Sequence, residues 1–140
     1  MSTNPEEQNA ALIKKLFALV EKGDYVGAAE LVAPTFRGHI AGQTLDRDAW
    51  LGFAKMFMGG FPDGVHTWDE VITKGDRVVM LTTFTGTHTG TFNGIAPTGK
   101  RISFPAILVD RVVDGRVVEH RGEFDPTIMM KQLGVMPGGK

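Results

Sequence analysis

Apolar positions in the first half of the chain recur at the spacing of an α-helix. The first such segment follows Asn4-Pro5, a good N-cap and first helical residue, and Gly23 ends it. Asp46 is the predicted N-cap of a later helix that the glycine pair 59–60 closes. The first half therefore predicts three helices, over residues 5–22, 25–32 and 47–60, with a short strand over residues 36–40.

The second half changes to the alternating pattern of β-strands. Strands are predicted over residues 65–74, 77–89, 101–113 and 116–124, and a closing helix over residues 126–133. Asp114-Gly115 is a strong signal for a two-residue hairpin. Helices first and strands second are typical of an α+β protein. We expect a curved antiparallel sheet that forms a cone, with the N-terminal helices closing one side and a pocket at its mouth.

Composition narrows the class of protein. The 140 residues are enough for one domain over residues 1–140, and 42% of them are hydrophobic. The net charge is −1 without long runs of one sign, which argues against binding to nucleic acid or a membrane surface. No stretch is apolar enough to span a membrane, and the N-terminus lacks the features of a signal peptide, so we expect a soluble, cytoplasmic protein.

Metal and cysteine chemistry are not predicted. The chain has no cysteine, which excludes disulfides, thiolate metal sites and cysteine nucleophiles. The four histidines, His39, His66, His88 and His120, show no metal-ligand spacing and fall on different predicted elements.

The last predicted strand carries most of the candidate chemistry. With a period of two, one face receives Glu119, Arg121, Glu123 and Asp125, and the other receives Val118, His120, Gly122 and Phe124. The sequence by itself favours the charged face meeting water. The alternative places it inside a cavity, where an acid beside a cation is tuned for proton transfer. Asp125 is also a good N-cap for the helix that follows.

Six short motifs, in order along almost the whole chain, carry a resemblance to a known family. They are GDRVV (75–79), TGTHTG (85–90), IAPTGK (95–100), DGRVVE (114–119), GEFD (122–125) and QLGVMP (132–137). With them the chain resembles the SnoaL-like polyketide cyclases, of nuclear-transport-factor-2-like fold. The resemblance implies a cone-shaped α+β barrel that commonly dimerises through its sheet, and ring closure by intramolecular aldol chemistry without metal or organic cofactor.

The resemblance also implies site residues. Asp125 matches the family's proton-transferring aspartate, and His39 and His88 match histidines near the pocket. It places Arg121 and Asp125 towards the pocket, against the water-facing interpretation. Arg121 stands where many relatives have tryptophan, so it either binds an anionic or carbonyl-bearing ligand or pairs with Glu123.

The leading hypothesis is a cofactor-independent cyclase or isomerase acting on a small carbonyl compound. Asp125 would take a proton from the carbon beside the carbonyl, and His39, His88 or Arg121 would stabilise the enolate. Arg121 and Glu123 are expected to bind substrate within an apolar surround made of Trp50, Phe53, Phe57, Met80, Phe84 and Phe104.

Two alternatives stay open. One is an epoxide or ester hydrolase, with Asp125 activating water and Glu123 as its partner. The other is a non-catalytic module that binds a small ligand or dimerises. An open pocket of several hundred Å³ with Asp125 on its wall would favour an enzyme. In each case we expect a homodimer that buries the outward face of the sheet.

Overall fold

The computed structural model describes residues 4–135, so Met136 and Pro137 of the last motif lie outside the described residues. The elements are, in chain order, α1 (Pro5–Glu21), α2 (Tyr25–Glu30), β1 (Val32–Ile40), β2 (Gln43–Leu45), α3 (Arg47–Gly60), β3 (Val65–Lys74), β4 (Arg77–Thr87), β5 (Arg101–Val113), β6 (Arg116–Phe124) and α4 (Pro126–Leu133).

The helices begin where the sequence predicts. Asn4, Asp24, Asp46 and Asp125 each accept backbone N–H groups at the start of the helix that follows. These bonds satisfy donors that have no partner inside the helix. The predicted α+β class is confirmed.

Three boundaries differ from the prediction. The second helix ends at Glu30, because the chain enters β1 at Val32, four residues before the predicted start of that strand. The strand β4 ends at Thr87, two residues early. The short β2 was not predicted, since it forms only by pairing with β1 across the turn at residues 41–42.

The six strands form a curved open sheet in the order β2-β1-β6-β5-β4-β3. Four of its five strand pairs are antiparallel, but β1 and β6 are parallel, so the sheet is mixed rather than wholly antiparallel. The parallel pair arises because most of the chain lies between these two strands, and they therefore meet without a hairpin. The sheet does not close, since β2 and β3 are its edges.

A β-bulge in β6 decides which side chains face inward. Val112 pairs with Val117, but the next residue back along β5, Arg111, pairs with Glu119. One extra residue in β6 therefore changes the alternation, as a bulge does. Both Val117 and His120 are buried as a result, although three positions separate them.

The core lies between the inner face of the sheet and the helices α1 and α3. Among its fully buried side chains are Ile13, Leu16, Phe36 and Phe61.

The outer face of the sheet, by contrast, exposes apolar side chains. Val65 is 47% exposed, Ile72 50% and Ile107 49%. Within the described residues, every helix is too short or too polar to cross a bilayer.

Candidate active site

An apolar cavity of about 100 Å³ lies between the inner face of the sheet, α1 and α3. Trp50, Phe53, Phe57, Phe84 and Phe104 all line it, as the sequence analysis expected for the apolar surround. Met80 does not: its side chain is fully buried in the core beside the cavity. Among the described residues no Asp, Glu, Lys or Arg lines the cavity, and its polar side chains are His66 and His120.

His120 forms a buried pair with Asp110 in the wall of this cavity. The two residues face each other across β6 and β5, and Nδ1 of His120 lies 2.8 Å from Oδ1 of Asp110. The side chains are only 3% and 1% exposed. Since a carboxylate can only accept, the imidazole donates from Nδ1, and Nε2 then carries a lone pair that is free to take a proton.

The surroundings of His120 hold its ring in place. Its centroid is 5.2 Å from the indole of Trp50 and 6.0 Å from the ring of Phe17. Gly122, two residues on, leaves the ring its space, because a Cβ at that position would lie 3.2 Å from Nε2. Gly122 and the rings of Trp50 and Phe17 thus fix the position of Nε2, the nitrogen that can act as a base.

A second histidine–carboxylate pair contributes its imidazole, but not its carboxylate, to the lining of the same cavity. Glu21, at the end of α1, accepts from both the backbone N–H and Nδ1 of His66, at 2.8 and 2.7 Å. The His66 ring stacks on Trp68, with centroids 5.4 Å apart and ring planes within 6°. It also lies 5.0 Å from Phe17, the same ring that His120 contacts. This pair is less buried than the first, with side chains 16% and 20% exposed.

Arg121, Glu123 and Asp125, which the resemblance directs towards a pocket, do not line this cavity; Glu123 and Asp125 instead line a separate open groove of about 480 Å³ beside Ile107 and Pro126. Arg121 pairs with Val109 and Glu123 with Ile107 on the outer face of the sheet, and the Arg121 side chain is 58% exposed. The bulge is the physical reason, because it turns the odd-numbered residues of β6 from 119 onward away from the cavity. Arg121 lies 3.9 Å from a carboxylate oxygen of Glu119 rather than beside Glu123.

Asp125 is the N-cap of α4 and lies exposed outside the cavity. Its Oδ1 accepts from the Thr127 hydroxyl at 2.7 Å and from the Thr127 N–H at 2.9 Å. These two bonds, the hydroxyl first, hold the pKa of the Asp125 carboxyl below its usual value. A lowered pKa weakens a carboxylate as a base. The structure therefore gives this aspartate a capping role and no contact with the cavity.

His39 and His88 are also away from the cavity. His39 lies on the outer face of the sheet, 3.5 Å from Glu119 and 3.2 Å from the Thr44 hydroxyl. His88 is fully buried, and its Nδ1 accepts the Thr98 N–H at 3.1 Å, which holds the loop between β4 and β5. Neither residue lines the cavity, although the resemblance implied a position near the pocket for both.

Neither histidine–carboxylate pair was predicted from the sequence. The alternation along β6 placed His120 on the face opposite the charged residues, and it was the available signal. Nothing local pointed to Asp110 as its partner, or to Glu21 as the partner of His66 forty-five positions away. Over residues 4–135, no three His, Cys, Asp or Glu side chains are grouped closely enough to hold a metal ion.

Comparison with known proteins identifies relatives of the same size and shape. The profile of the SnoaL-like polyketide cyclase family matches residues 10–133. IdmH from Streptomyces antibioticus, a proposed polyketide cyclase, is 33% identical, with a TM-score of 0.82 over 91% of this chain and 99% of that one. A comparison with curated protein sequences gave no match.

Two other solved structures are equally similar in shape. AclR from Streptomyces galilaeus, a proposed hydroxylase, is 26% identical over 92% of this chain and 97% of its own, with a TM-score of 0.84. A proposed SnoaL-like polyketide cyclase from Jannaschia sp. CCS1 has the same identity and TM-score over 95% and 96%.

Proposed function

Because the chain belongs to the SnoaL-like polyketide cyclase family, we propose that it closes a ring in a small, neutral carbonyl compound by acid–base chemistry. The base is His120, held by Asp110. The observation that carries this proposal is the burial of that pair in the wall of an otherwise apolar cavity. Pairs of titratable side chains that are buried beside an apolar cavity are typical of active sites.

The proposed reaction is an intramolecular aldol addition. Nε2 of His120 takes a proton from the carbon beside one carbonyl, leaving an enolate. The enolate carbon attacks a second carbonyl of the same molecule, so a carbon–carbon bond forms and the second C=O becomes an alkoxide that must be protonated. Asp110 accepts the Nδ1–H bond throughout and stabilises the positive imidazole.

Asp110 itself supports a chemical role for the pair. Its Oδ2 is buried and has no hydrogen-bond partner among the described protein groups. Leaving a buried acceptor without a partner costs about 1–3 kcal/mol, and more when the group is charged. Replacing a buried ion pair by well-packed apolar residues is often neutral or stabilising, so packing alone does not require a carboxylate there. Retaining a carboxylate behind an imidazole is understandable if the imidazole takes up a proton during turnover.

The cavity wall defines the class of substrate. Because no carboxylate, ammonium or guanidinium group among the described residues reaches the cavity, a charged substrate would lose its hydration without a partner. The substrate is therefore neutral and largely apolar. Ligand pockets commonly enclose about 300–1,000 Å³. A cavity of about 100 Å³ accepts a small molecule directly, and a larger one only if Phe53, Phe57 and Phe124, which are half-buried, move aside.

That small volume also favours one alternative function, a module that binds a small ligand without catalysis. One experiment distinguishes a binding module from a catalyst. Acetonylacetone is a small, neutral diketone that closes by aldol condensation to methylcyclopentenone. In D₂O, proton NMR follows deuterium exchange beside its carbonyls and ring closure in the same sample.

The matched variants are His120→Asn and Asp125→Asn. Removing the base should lower the exchange rate by about 10²–10⁴-fold. Asp125→Asn, which keeps the cap and lies outside the cavity, should exchange at the parental rate. Parental exchange by His120→Asn would refute the proposal, and loss of exchange in Asp125→Asn alone would return the role of base to Asp125. A parent protein that binds the diketone without exchange is a binding module.

We also propose that the chain forms a homodimer through the outer face of its sheet. Val65, Ile72 and Ile107 are large apolar side chains about half exposed there. Exposed apolar patches on a sheet are stabilised when a second surface covers them.

A further inference from the structure

We propose that His66 is a second catalytic residue, the general acid that protonates the alkoxide formed in ring closure, and that Glu21 is its positioning residue. This inference rests on the proposed function, because it needs the enolate that His120 generates. It assigns a proton donor to the alkoxide, a step for which the proposed function names no residue.

The two histidines reach the cavity from different strands on the inner face of the sheet. His120 lies on β6 and His66 on β3, with β5 and β4 between them, and both side chains line the cavity. Both rings pack against Phe17, at 5.0 Å for His66 and 6.0 Å for His120. The two imidazoles are therefore no farther apart than the sum of these distances. A small diketone resting on the Phe17 ring can contact both.

Hydrogen bonds orient His66 for donation from one nitrogen. One oxygen of Glu21, Oε2, accepts from Nδ1 and from the backbone N–H of the same residue, and the bond to Nδ1 restrains the ring. Nδ1 is thus engaged, and Nε2 is the nitrogen left for the ligand. The histidine and its carboxylate repeat the arrangement of His120 and Asp110 on the other side of the cavity.

Their surroundings give the two histidines different tasks. Each ring has a carboxylate and a tryptophan beside it, so the difference between the two histidines lies in their exposure. The His66 ring is partly exposed, at 16%, whereas His120 is 3% exposed. A partly exposed ring can regain a proton from water after each turnover. The more exposed histidine suits the acid, and the enclosed one suits the base.

The proton balance closes over one cycle. Carbon gives a proton to Nε2 of His120, the new carbon–carbon bond forms, and the alkoxide takes a proton from Nε2 of His66. His120 is then positively charged and His66 neutral. Loss of one proton to solvent from His120 and uptake of one by His66 restore both, so no oxidant, reductant or co-reactant is consumed.

The acetonylacetone experiment separates this role from that of the base. His66→Asn should lower ring closure by about 10²–10⁴-fold while deuterium exchange continues at the parental rate, because exchange needs only the base. Glu21→Gln keeps the imidazole and should lower ring closure less, again without changing exchange. The matched control is His39→Asn, which removes a histidine from the outer face of the sheet. It should change neither the rate of deuterium exchange nor the rate of ring closure.

Other results would overturn the assignment. If exchange and closure fall together in His66→Asn, the residue serves the cavity as a whole and is not a separate acid. If closure is unchanged, it has no catalytic role. Should His66→Asn fail to fold, Glu21→Gln decides, since parental closure in that variant refutes the role. A parent protein without exchange, or a His120→Asn variant with parental exchange, instead refutes the proposed function itself.

Discussion

Replacing Gly122 by alanine would place one methyl group against the nitrogen that we assign as the base. Gly122 lines the cavity on the inner face of β6, and its φ is not among the positive values that disfavour alanine. The new Cβ would lie 3.2 Å from Nε2 of His120, and 3.6 Å from side-chain carbons of Ile40 and Leu108. The last two are ordinary contacts, so the strain falls on the imidazole.

The size of the effect follows from these distances. Ordinary contact begins at about 3.5 Å, so the ring must move by about 0.3 Å. A misplacement of 1 Å can lower the rate by about 10²-fold. If the added activation free energy is proportional to the displacement, a shift of about 0.3 Å lowers the rate by roughly fourfold. The methyl group also occupies part of the cavity next to Nε2. We therefore expect exchange to fall by about 4- to 100-fold.

The free energy of unfolding should change little. Alanine gains about 0.5–1 kcal/mol over glycine inside a strand, and burying its methyl group adds about 0.8 kcal/mol. Overpacking costs about 1–3 kcal/mol, so these contributions nearly cancel. Urea unfolding of the variant should then agree with the parent to within about 1.5 kcal/mol.

The measurement is deuterium exchange into acetonylacetone, with Gly52→Ala as control. Gly52 is an exposed glycine of α3 where a Cβ would meet nothing within 4 Å, so the same substitution there should leave exchange unchanged. A folded Gly122→Ala protein that exchanges at the parental rate would refute Nε2 of His120 as the base.

Three further predictions concern the N-cap of α4, the stability of the protein in acid and the proposed dimer. Asp125→Asn should unfold at the parental urea concentration and Asp125→Ala at a lower one, because asparagine caps a helix and alanine does not; equal loss in both variants would contradict a capping role. Bonds from Thr87, its N–H first, hold the pKa of the Asp63 carboxyl below its usual value, so the unfolded chain binds protons more tightly there. Asp63 therefore contributes to the free energy of unfolding near neutral pH, and this contribution is lost as the pH falls through the pKa of the folded state. Urea titrations between about pH 6 and about pH 3 should show that the stability of Asp63→Asn depends less on pH than that of the parent. Light scattering should give twice the 15.2 kDa chain mass for the parent and a monomer for Ile107→Lys, whereas a monomeric parent would refute the dimer.

Local pattern was enough to predict most of the elements. The capping residues Asn4, Asp46 and Asp125 act on backbone groups two or three positions away, so their effect is visible in a short window of sequence. The same is true of the hairpin at Asp114-Gly115, where both residues adopt the positive φ that such a turn requires. Helical spacing likewise predicted that Trp50, Phe53 and Phe57 lie on the buried side of their helix, and all three line the cavity.

The parallel pairing of β1 with β6 was beyond local pattern. Each strand has an alternation that suits either direction of pairing, and the choice depends on where the intervening chain packs. The contact between Glu21 and His66 has the same origin, since it depends on how α1 packs against β3 in the folded chain.

The arrangement of the candidate site depends on the register between β5 and β6, which a bulge shifts by one residue. Without a bulge, the register set by the Asp114-Gly115 turn would pair Asp110 with Glu119. The side chains of Glu119, Arg121 and Glu123 would then point inward, on the same face as Val117. An inward Arg121 is what the family resemblance implied. The bulge shifts that register by one, so Asp110 meets His120 and the charged residues meet water. The sequence by itself determined the strands and their turn, because alternation and turn chemistry act over a few residues. Only the tertiary structure decided the faces of β6, because a bulge exists relative to a partner strand and is selected by the packing of both faces at once.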